Sequence, residues 1–475
     1  MLKNLIDGRF ESASSAESIA ILNPSTGEKI GEIPNSPAAV VEDAIAAAKR
    51  AQPAWSALPA IQRGRHLNRI AGLISEKRDL IASTIAREQG KLLSLAETEV
   101  DITADYVDYM AGWASRIEGE IITSDRLNET ILLFRKPVGV VGGILPWNFP
   151  FFLFARKMAP ALITGNTIII KPSEETPLNA EIFAQIVINA ELPAGVVNVV
   201  HGRGATVGEA ITRHSDIDLI TFTGSTRAGS AIMAAASKNI TRVNLELGGK
   251  APAIVMADCD LDLAVRAVRD SRLTNNGQVC NCAERIYVQA PIADEFVDRL
   301  ARAFAGVTYG DPLGNASVGM GPLINRAAVD RVQAMVVRAV LEGAVVEACG
   351  SADTTSPGCF FKPTVLANCE QGMEIMDQEI FGPVAPVSVF HDLDEVIAKA
   401  IDCEYGLTSS IYTRDLQTAM RASNEVLFGE TYINRENFEA IQGFHAGWRK
   451  SGIGGADGKH GVYEFTQTHV VYLQL

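Results

Sequence analysis

The chain has no long uncharged apolar run, few cysteines and histidines, and a deficit of positive charge. The nearest approach to a membrane span, residues 138–154, is interrupted by Pro146, Asn148 and Pro150, which excludes a transmembrane helix there. The N-terminal residues, MLKNLIDG, lack a basic region followed by an apolar core, so no secretory signal is visible and we expect a cytoplasmic protein. The formal net charge of −14 argues against nucleic acid and anionic membranes as partners.

The 7 cysteines are scattered, and only Cys280 and Cys282 lie close together. A disulfide scaffold is excluded because the chain is long, at 475 residues, and shows no secretory signal. Zinc needs about four ligands, usually in paired motifs, and no second pair lies near Cys280. We therefore expect no metal site. Two interpretations of the pair remain, which are buried structural thiols and a nucleophile.

Length and composition predict a globular protein with more than one domain. The chain is too long for one ordinary core, and 47% of its residues are hydrophobic against 21% charged. Residues 38–118 carry Ala, Leu, Glu and Arg at helical spacing, with Gly90 as a candidate C-cap. Residues 119–137 alternate and favour antiparallel strands, and the final TQTHVVYLQL alternates like an edge strand.

From residue 138 onward, apolar strands alternate with helices. The predicted strands are VGVVGGIL, TIIIKP, GVVNVV, DLITFTG and RVNLELGG, and the predicted helices between them are FFLFARKMAPALI, NAEIFAQIVINA, GATVGEAITRH and RAGSAIMAAASKN. A second succession runs from about 250 to 450, with strands in APAIVMA, RIYVQA and SSIYT. This alternation predicts α/β domains whose parallel sheets are covered on both faces.

Two strand ends carry residues that could bind a ligand, because ligands bind beyond the carboxyl ends of parallel strands. In FTGSTRAG, the turn from Gly224 to Gly229 could present free N–H groups to a phosphate, or could be an ordinary βα turn. In KPSEETP, Lys171 and Glu174 could hold a ribose, or could lie in a solvated loop.

Two further positions could supply catalytic groups. Asn148 in LPWNFP lies between two prolines that would hold its amide rigidly, which suits an oxyanion hole; the alternative is an Asn that serves a turn. Glu246 in LELGGK ends a strand before two glycines. Its carboxylate could be desolvated and act as a general base, or could lie at the surface. Cys280 would need access and a stabilised thiolate, and the sequence shows neither directly.

Taken together, these segments resemble the aldehyde dehydrogenase superfamily over essentially the whole chain. The matching segments are ILPWNFP, KPSEETP, FTGSTRAG, LELGGK, GQVC, EIFGPV and KSGIG. The resemblance implies an NAD-binding domain from residues 1–118 and 138–247, a catalytic domain from 248–450, and a bridging β-element from 119–137 and 455–475. It also implies that this element joins subunits into a homo-oligomer, a dimer of dimers.

The resemblance further implies roles for the candidate residues. Cys280 is the expected nucleophile, Glu246 the general base for hydrolysis, and Asn148 with the backbone N–H of Cys280 the oxyanion hole, while Cys282 has no assigned role. The cofactor is expected to be NAD. Its expected contacts are Leu145, Pro146, Trp147, Lys171, Ser173, Glu174, Gly204, Gly208, Phe222, Gly224, Ser225, Leu247, Glu379 and Phe381.

Two departures from the family pattern bear on proton transfer and substrate. A glutamate that the family often carries after the late S-G-x-G falls here at Ala456 or Asp457, so the sequence does not support a proton relay through that position. The usual P-F-G-G-x-K is replaced by FHAGWRK, so His445 stands where relatives that oxidise apolar aldehydes carry an aromatic residue. Arg156 and Glu439 depart from the aromatic pattern in the same way.

The polar set of Arg156, Glu439 and His445 resembles the branch of the family that oxidises lactaldehyde and glycolaldehyde. It implies oxidation of a short hydroxyaldehyde to the acid through a thiohemiacetal and a thioester on Cys280. A semialdehyde dehydrogenase of the succinate semialdehyde type is the alternative. A CoA-acylating enzyme would lack Glu246, and a non-enzymatic relative would tolerate the loss of Cys280, Glu246 or Asn148, all of which are present.

Overall fold

A computed structural model describes residues 1–12 and 17–474 of the chain. Residues 13–16 of the predicted NAD-binding domain, and Leu475 of the predicted bridging element, lie outside the described residues. Among the described residues, no helix combines the length and apolar character that crossing a membrane requires.

The chain begins with two strand pairs and a layer of helices. In chain order these are β1 (Asn4–Ile6), β2 (Arg9–Glu11), β3 (Ser18–Leu22), β4 (Lys29–Pro34), α1 (Ala38–Ala57), α2 (Ala60–Glu76), α3 (Arg78–Gln89) and α4 (Leu93–Ala111). Helix α3 ends at Gly90, which has a left-handed φ of 82°. The predicted glycine C-cap is therefore confirmed.

A β-α succession follows, as predicted. Its elements are β5 (Glu120–Thr123), β6 (Glu129–Pro137), β7 (Val140–Ile144), α5 (Pro150–Ile163), β8 (Thr167–Lys171), α6 (Leu178–Asn189), β9 (Val197–Val199), α7 (Glu209–Arg213), β10 (Leu219–Thr223), α8 (Thr226–Ala236) and β11 (Arg242–Glu246). All residues of α5 except Phe152 are buried. The charged Arg156 and Lys157 therefore lie inside the protein.

The second succession completes the chain. Its elements are β12 (Ala251–Val255), α9 (Leu261–Leu273), β13 (Ala283–Gln289), α10 (Ala293–Ala305), α11 (Arg326–Leu341), β14 (Val345–Ala348), β15 (Thr364–Ala367), α12 (Glu374–Asp377), β16 (Val384–Phe390), α13 (Leu393–Ile401), β17 (Thr408–Tyr412), α14 (Leu416–Glu425), β18 (Glu430–Ile433), β19 (Gly452–Ile453), α15 (Gly458–Glu464) and β20 (Thr466–Gln474).

The two large sheets are parallel at their centres and carry antiparallel strands at three of their four edges, because the edge strand β18 pairs parallel with β17. The eight-stranded sheet has the order β19-β11-β10-β7-β8-β9-β1-β2, and the seven-stranded sheet has the order β14-β15-β16-β13-β12-β17-β18. Strands β1, β2, β19 and β14 pair antiparallel. The expectation of wholly parallel sheets is therefore wrong at these edges. These short strands reach their neighbours through turns or from distant segments, so no crossover helix forces a parallel direction.

A third sheet is built from the strands of the predicted bridging element. β20 pairs antiparallel with β6 along its whole length, from Thr466 opposite Pro137 to Gln474 opposite Glu129, and β5 pairs with the other side of β6. β20 is the outer strand of this sheet. The prediction of a C-terminal edge strand is confirmed, although β20 is exposed at nearly every residue rather than at alternate ones. The division of the chain into three domains stays a prediction.

Candidate active site

Cys280 and Cys282 have different surroundings although they are two residues apart. Cys280 is partly exposed and Cys282 is buried. The Cys282 sulfur accepts a hydrogen bond from Arg272 at 3.0 Å and donates one to the carbonyl of Val279 at 3.0 Å. Burial raises the pKa of the Cys282 thiol to about 12. A thiol held in this way is unreactive, which leaves Cys280 as the accessible member of the pair.

A tight turn places Cys280. Asn275, Asn276 and Gly277 have consecutive left-handed φ values of 48°, 60° and 71°. A Cβ on Gly277 would clash with the carbonyl of Gly382, so this position requires glycine for space as well as for conformation. The turn reverses the chain between α9 and β13 and presents Cys280 before β13 begins.

Glu246 ends β11 and is buried, so the interpretation as a surface glutamate is wrong. Neither carboxylate oxygen has a hydrogen-bond partner within the described residues. The nearest charged group is His445, whose Nε2 lies 3.5 Å from Oε2. Burial raises the pKa of Glu246 above its ordinary value of 4.5, against the opposing effect of His445. An unpartnered carboxylate of raised pKa can take a proton from water.

Asn148 is buried just before α5. Its side-chain amide donates to the carbonyl of Gln278 at 3.0 Å, two residues before Cys280. Because an amide NH₂ has two hydrogens, the second is free to meet an oxyanion formed at Cys280. The backbone carbonyl of Asn148 accepts from Lys91 at 2.8 Å and from Asn275 at 3.0 Å.

The structure brings Arg156 and Glu439 together, with Nη1 and Oε1 3.3 Å apart. It adds a carboxylate that sequence reasoning left without a partner. Asp457 accepts two hydrogen bonds from Arg156, one of them from Nε at 3.0 Å. Asn281, beside the nucleophile candidate, donates to Glu439 at 2.5 Å. Two carboxylates thus face one guanidinium, and the Arg156 charge is fully compensated.

His445 lies at the centre of a group of carboxylates. Its Nδ1 lies 2.5 Å from Glu430 and 4.0 Å from Glu439. Burial and Arg156 oppose protonation, but Glu439 and Glu430 outweigh them and hold the pKa of His445 well above its ordinary value. Hydrogen bonding to Cys280 acts in the same direction. The surrounding carboxylates therefore favour the protonated imidazole beside the nucleophile candidate.

Lys157 is a further charged group at this site that sequence reasoning missed. It is buried, and burial lowers its pKa to about 8, with Glu246 and Cys280 among the groups that act on it electrostatically. The signal was present in the sequence, since Arg156 and Lys157 are adjacent charges in an otherwise apolar helix. Glu430 and Asn281 were missed, and the pairing of Asp457 with Arg156 was not foreseen, because the elements that carry these residues meet α5 and Cys280 only in the folded chain.

Lys171 and Glu174 form an ion pair at the end of β8. Lys171 Nζ lies 2.9 Å from Glu174 Oε2, and the two side chains are 3% and 32% exposed. The interpretation as a solvated loop is therefore wrong for Lys171. Burial opposes ionisation of Glu174, but Lys171 outweighs it and lowers the pKa of that carboxyl. The other carboxylate oxygen accepts from Gly204 N at 3.4 Å, and Gly208 follows on the same turn of helix.

The turn after β10 opens onto the N-terminus of α8. Ser225 caps this helix by accepting from Ala228 N at 3.3 Å. A Cβ on Gly224 would clash with the ring of Phe222, and one on Gly229 would clash with Leu247. A larger residue at either position would therefore force the side chain of Phe222 or Leu247 to move. The free N–H groups of the first turn of α8 could meet a phosphate.

The remaining cofactor candidates lie at the ends of β7 and β8 and in a loop that faces them. Leu145 N donates to the carbonyl of Lys171 at 3.0 Å, and Pro146 and Trp147 follow directly. Trp147 meets Phe381 edge to face, with ring centroids 5.5 Å apart. The hydroxyl of Ser173 accepts from Glu175 N at 3.2 Å, so it is used within its own loop.

Glu379 connects this region to the nucleophile. Its carboxylate accepts from Gly249 N at 3.0 Å, and a Cβ on Gly249 would lie 2.6 Å from the carbonyl of Cys280. Burial and the nearby Glu284 raise the pKa of Glu379 to about 7. The candidate catalytic and cofactor residues are therefore contiguous. Within residues 1–12 and 17–474, no group of three His, Cys, Asp or Glu side chains is placed to hold a metal ion.

Comparison with known proteins gives matches over the whole chain. The model of the aldehyde dehydrogenase family matches residues 10–471. Lactaldehyde dehydrogenase of Escherichia coli strain K12 is 57% identical over 469 residues, which cover 99% of this chain and 98% of that protein. The 3,6-anhydro-alpha-L-galactose dehydrogenase of Vibrio sp. strain EJY3 is 41% identical over 471 residues, which cover 98% of each protein. The crystal structure of the Escherichia coli lactaldehyde dehydrogenase superposes with a TM-score of 0.99, covering 100% of this chain and 99% of that one, at 57% identity.

Proposed function

The chain belongs to the aldehyde dehydrogenase family, and from this premise we propose that it oxidises lactaldehyde or glycolaldehyde to the carboxylic acid with NAD. The observation that carries the proposal is the contact of Arg156, Glu439 and His445 with one another beside Glu246 and Cys280. The Escherichia coli relative is named for lactaldehyde, a short aldehyde with a hydroxyl next to the carbonyl.

The strand-end residues fit a nicotinamide dinucleotide. Gly204 has open space around it, and Gly224 leaves room where a side chain would clash with Phe222. The first turn of α8 offers N–H groups for a pyrophosphate, and the accessible Glu174 carboxylate can accept hydrogen bonds from a ribose diol. When bound there, NAD supplies the acceptor for the hydride that leaves the substrate.

The residues around Cys280 fit attack on an aldehyde. A bond forms from the Cys280 sulfur to the aldehyde carbon, and the carbonyl electron pair moves to the oxygen. The free Asn148 hydrogen and the Cys280 backbone N–H stabilise that oxyanion, and losing one such donor costs about 2.7–4 kcal/mol. His445 lies beside Cys280 and interacts with it through a side-chain hydrogen bond. Loss of hydride from the carbon then leaves a thioester on Cys280.

Hydrolysis of the thioester fits Glu246. Its unpartnered carboxylate takes a proton from a water, whose oxygen attacks the thioester carbon. The carbon–sulfur bond breaks, the acid is released, and the Cys280 thiolate is restored. The presence of Glu246 argues against a CoA-acylating enzyme, which would release the acyl group to a thiol instead.

The charge balance of the pocket supports a hydroxyaldehyde over a semialdehyde. A distal carboxylate needs an uncompensated cation. Arg156 already pairs with both Glu439 and Asp457, His445 pairs with Glu430, and the buried Lys157 has a pKa lowered to about 8 with Glu246 acting on its charge. A hydroxyl needs only a hydrogen-bonding group, and an apolar aldehyde would leave buried polar groups unpaired at about 1–3 kcal/mol each. This ranks lactaldehyde and glycolaldehyde above succinate semialdehyde, and all three above long alkanals and benzaldehyde.

Cofactor preference and assembly follow as part of the same proposal. The Glu174 carboxylate would repel a 2′-phosphate, which favours NAD over NADP, and the adjacent Lys171 would make that preference leaky. The outer edge of β20 is a template for pairing with another sheet, which is consistent with a dimer of dimers through the bridging element. The cytoplasmic location stays a prediction.

The test is NADH release measured over a panel of aldehydes, with and without CoA. The panel contains lactaldehyde, glycolaldehyde, propanal, succinate semialdehyde and benzaldehyde, and NADP replaces NAD in a parallel series. We expect the highest kcat/KM with the two hydroxyaldehydes and no effect of CoA. Equal kcat/KM for lactaldehyde and propanal would contradict the substrate proposal, and a requirement for CoA would contradict hydrolysis.

A further inference from the structure

A buried ion pair contacts the backbone of Asn148, and its two residues have no role in the proposed chemistry. Lys91 lies between α3 and α4, and Glu99 lies on α4. Their side chains are both 0% exposed, and Lys91 Nζ is 2.5 Å from Glu99 Oε2. Removing two charges from water costs several kcal/mol for each ion, and replacing such a pair by apolar groups is often neutral or stabilising. Stability alone is therefore a weak explanation for the pair.

Lys91 reaches the backbone of Asn148. Its ammonium group donates to the Asn148 carbonyl at 2.8 Å and lies 3.6 Å from the ring centre of Phe149. The same carbonyl accepts from Asn275 at 3.0 Å, in the turn that precedes Cys280. The backbone of Asn148 is thus held from the helical layer on one side and from the nucleophile turn on the other.

Glu99 holds the residues that follow. Its Oε1 accepts from the backbone N–H groups of Phe151 at 2.9 Å and Phe152 at 3.1 Å, in the first turn of α5. The N-cap residue of α5, Phe149, has no side-chain hydrogen bond to this turn. Glu99 therefore supplies from another helix the acceptor that an N-cap side chain usually provides. Its negative charge also interacts favourably with the positive end of the α5 dipole.

We propose that Lys91 and Glu99 are positioning residues that hold the Asn148 amide where the oxyanion forms. One ion pair fixes both the carbonyl of Asn148 and the start of the helix that follows it. The amide therefore keeps its direction while its free hydrogen changes partner during the reaction. The inference rests on the proposed role of Asn148 in the oxyanion hole.

The chain offers a matched control one helix earlier. Glu88 on α3 is also fully buried, and it accepts from the backbone N–H groups of Leu178 at 2.7 Å and Asn179 at 2.9 Å, at the start of α6. It caps a helix as Glu99 does, but α6 carries none of the candidate site residues. Burial raises the pKa of Glu88 to about 7. Glu88→Gln therefore reports the cost of altering a buried capping carboxyl without disturbing Asn148.

The experiment is a double-mutant cycle. Lys91→Met/Glu99→Gln removes both charges together, so that no unpaired ion is left buried, and it is made in the wild-type and in the Asn148→Ala background. Glu88→Gln is made in parallel. Each variant is measured for kcat/KM with lactaldehyde, for the dissociation constant of NAD, and for its thermal unfolding midpoint.

We expect Lys91→Met/Glu99→Gln to lower kcat/KM by about 10- to 100-fold, the range for a misplaced catalytic group. The dissociation constant of NAD should be unchanged. In the Asn148→Ala background, the same two substitutions should cause no further loss. Glu88→Gln should lower the unfolding midpoint while leaving kcat/KM near that of wild type. An unchanged kcat/KM in Lys91→Met/Glu99→Gln, or full multiplicative loss in the triple variant, would overturn the proposal.

A milder variant covers the case in which the paired substitution does not fold. Glu99→Gln alone keeps an oxygen for Phe151 and Phe152 but removes the charge that anchors Lys91. It should lower kcat/KM by a smaller factor, again only when Asn148 is present, and a loss that persists in Asn148→Ala would count against the proposal. The oxyanion role of Asn148 is tested separately by Asn148→Ala alone. Wild-type activity in that variant would show that the oxyanion assignment itself is wrong.

Discussion

Replacing His445 by phenylalanine should convert a polar pocket wall into the aromatic wall of relatives that oxidise apolar aldehydes. The imidazole is buried and is held by Glu430, with Nδ1 and Oε1 2.5 Å apart. Its other nitrogen, Nε2, lies 3.5 Å from Glu246 Oε2, and the imidazole also interacts with Cys280, so this side of the ring faces the catalytic groups. Phenylalanine keeps the bulk of the side chain and removes both hydrogen-bonding positions.

The expected effect follows from the cost of an unpaired polar group. A substrate hydroxyl that loses its hydrogen bond to His445 and gains no other in a buried pocket costs about 1–3 kcal/mol. At about 1.36 kcal/mol for each factor of ten, this lowers kcat/KM for lactaldehyde relative to propanal by about 5- to 160-fold. Propanal differs from lactaldehyde by this one hydroxyl, so the ratio cancels any general loss of activity.

The assay is steady-state NADH formation with both aldehydes at one pH. His445→Gln, which keeps hydrogen-bonding capacity, should retain most of the wild-type preference. His460→Phe makes the same exchange at an exposed position and should leave the ratio unchanged. A wild-type enzyme that does not distinguish the two aldehydes, or a His445→Phe enzyme with the wild-type ratio, would refute the polar-pocket argument without affecting the family assignment.

Three other predictions follow from the same geometry. Cys280→Ala should lower NAD reduction by on the order of 10⁴-fold or more and leave NAD binding intact, while Cys282→Ala stays active; the reverse result would show that the nucleophile is misassigned. Glu246→Gln should slow thioester hydrolysis by about 10²-fold and leave a burst of NADH in rapid mixing. Because burial raises the pKa of Glu246, the wild-type hydrolysis rate should begin to fall at pH values above 4.5 as the pH is lowered. If Glu246→Gln shows the same fall in rate with decreasing pH, another group is responsible for it. Glu174→Gln should shift the ratio of kcat/KM for NAD over NADP toward NADP by roughly tenfold, and an unchanged ratio would remove Glu174 from cofactor choice.

The central strands and helices were predictable because burial and periodicity agree there. Strands such as β7 and β8 are buried along their whole length and appear as continuous apolar runs, while α5 shows an apolar run of helical length. The antiparallel edge strands were not predictable in this way. β19 has two residues, and its pairing with β11 joins positions about two hundred residues apart in the chain. No local pattern carries that information.

Within the candidate site, too, the residues with a local sequence signal were predictable and those that depend on distant contacts were not. Residues at strand ends, such as Glu246 and Lys171, were found because parallel strands bring their carboxyl ends to one edge. The specific role of Cys280 came from resemblance, since a lone thiol gives no local signal of reactivity. Pairs such as Arg156 with Asp457 depend on contacts between distant segments, and the sequence identifies each partner only as a charged residue. Their roles in catalysis stay predictions until the variants are measured.

The contact between Arg156 and Asp457 also bears on the second glutamate of the family, whose position falls at Ala456 or Asp457 in this chain. Ala456 stands in the backbone bridge with His445 and offers no carboxylate. Asp457 has a carboxylate, but both of its oxygens accept hydrogen bonds from Arg156 in a buried, charge-assisted pair. Breaking a buried pair to accept a proton would leave Arg156 with only Glu439, at a cost of several kcal/mol. Burial raises the pKa of Asp457 above its ordinary value, but both of its oxygens are occupied by Arg156, so a proton relay from Glu246 would first have to break that pair. The contribution of Asp457 to the site is to fix and neutralise the guanidinium that lines the pocket.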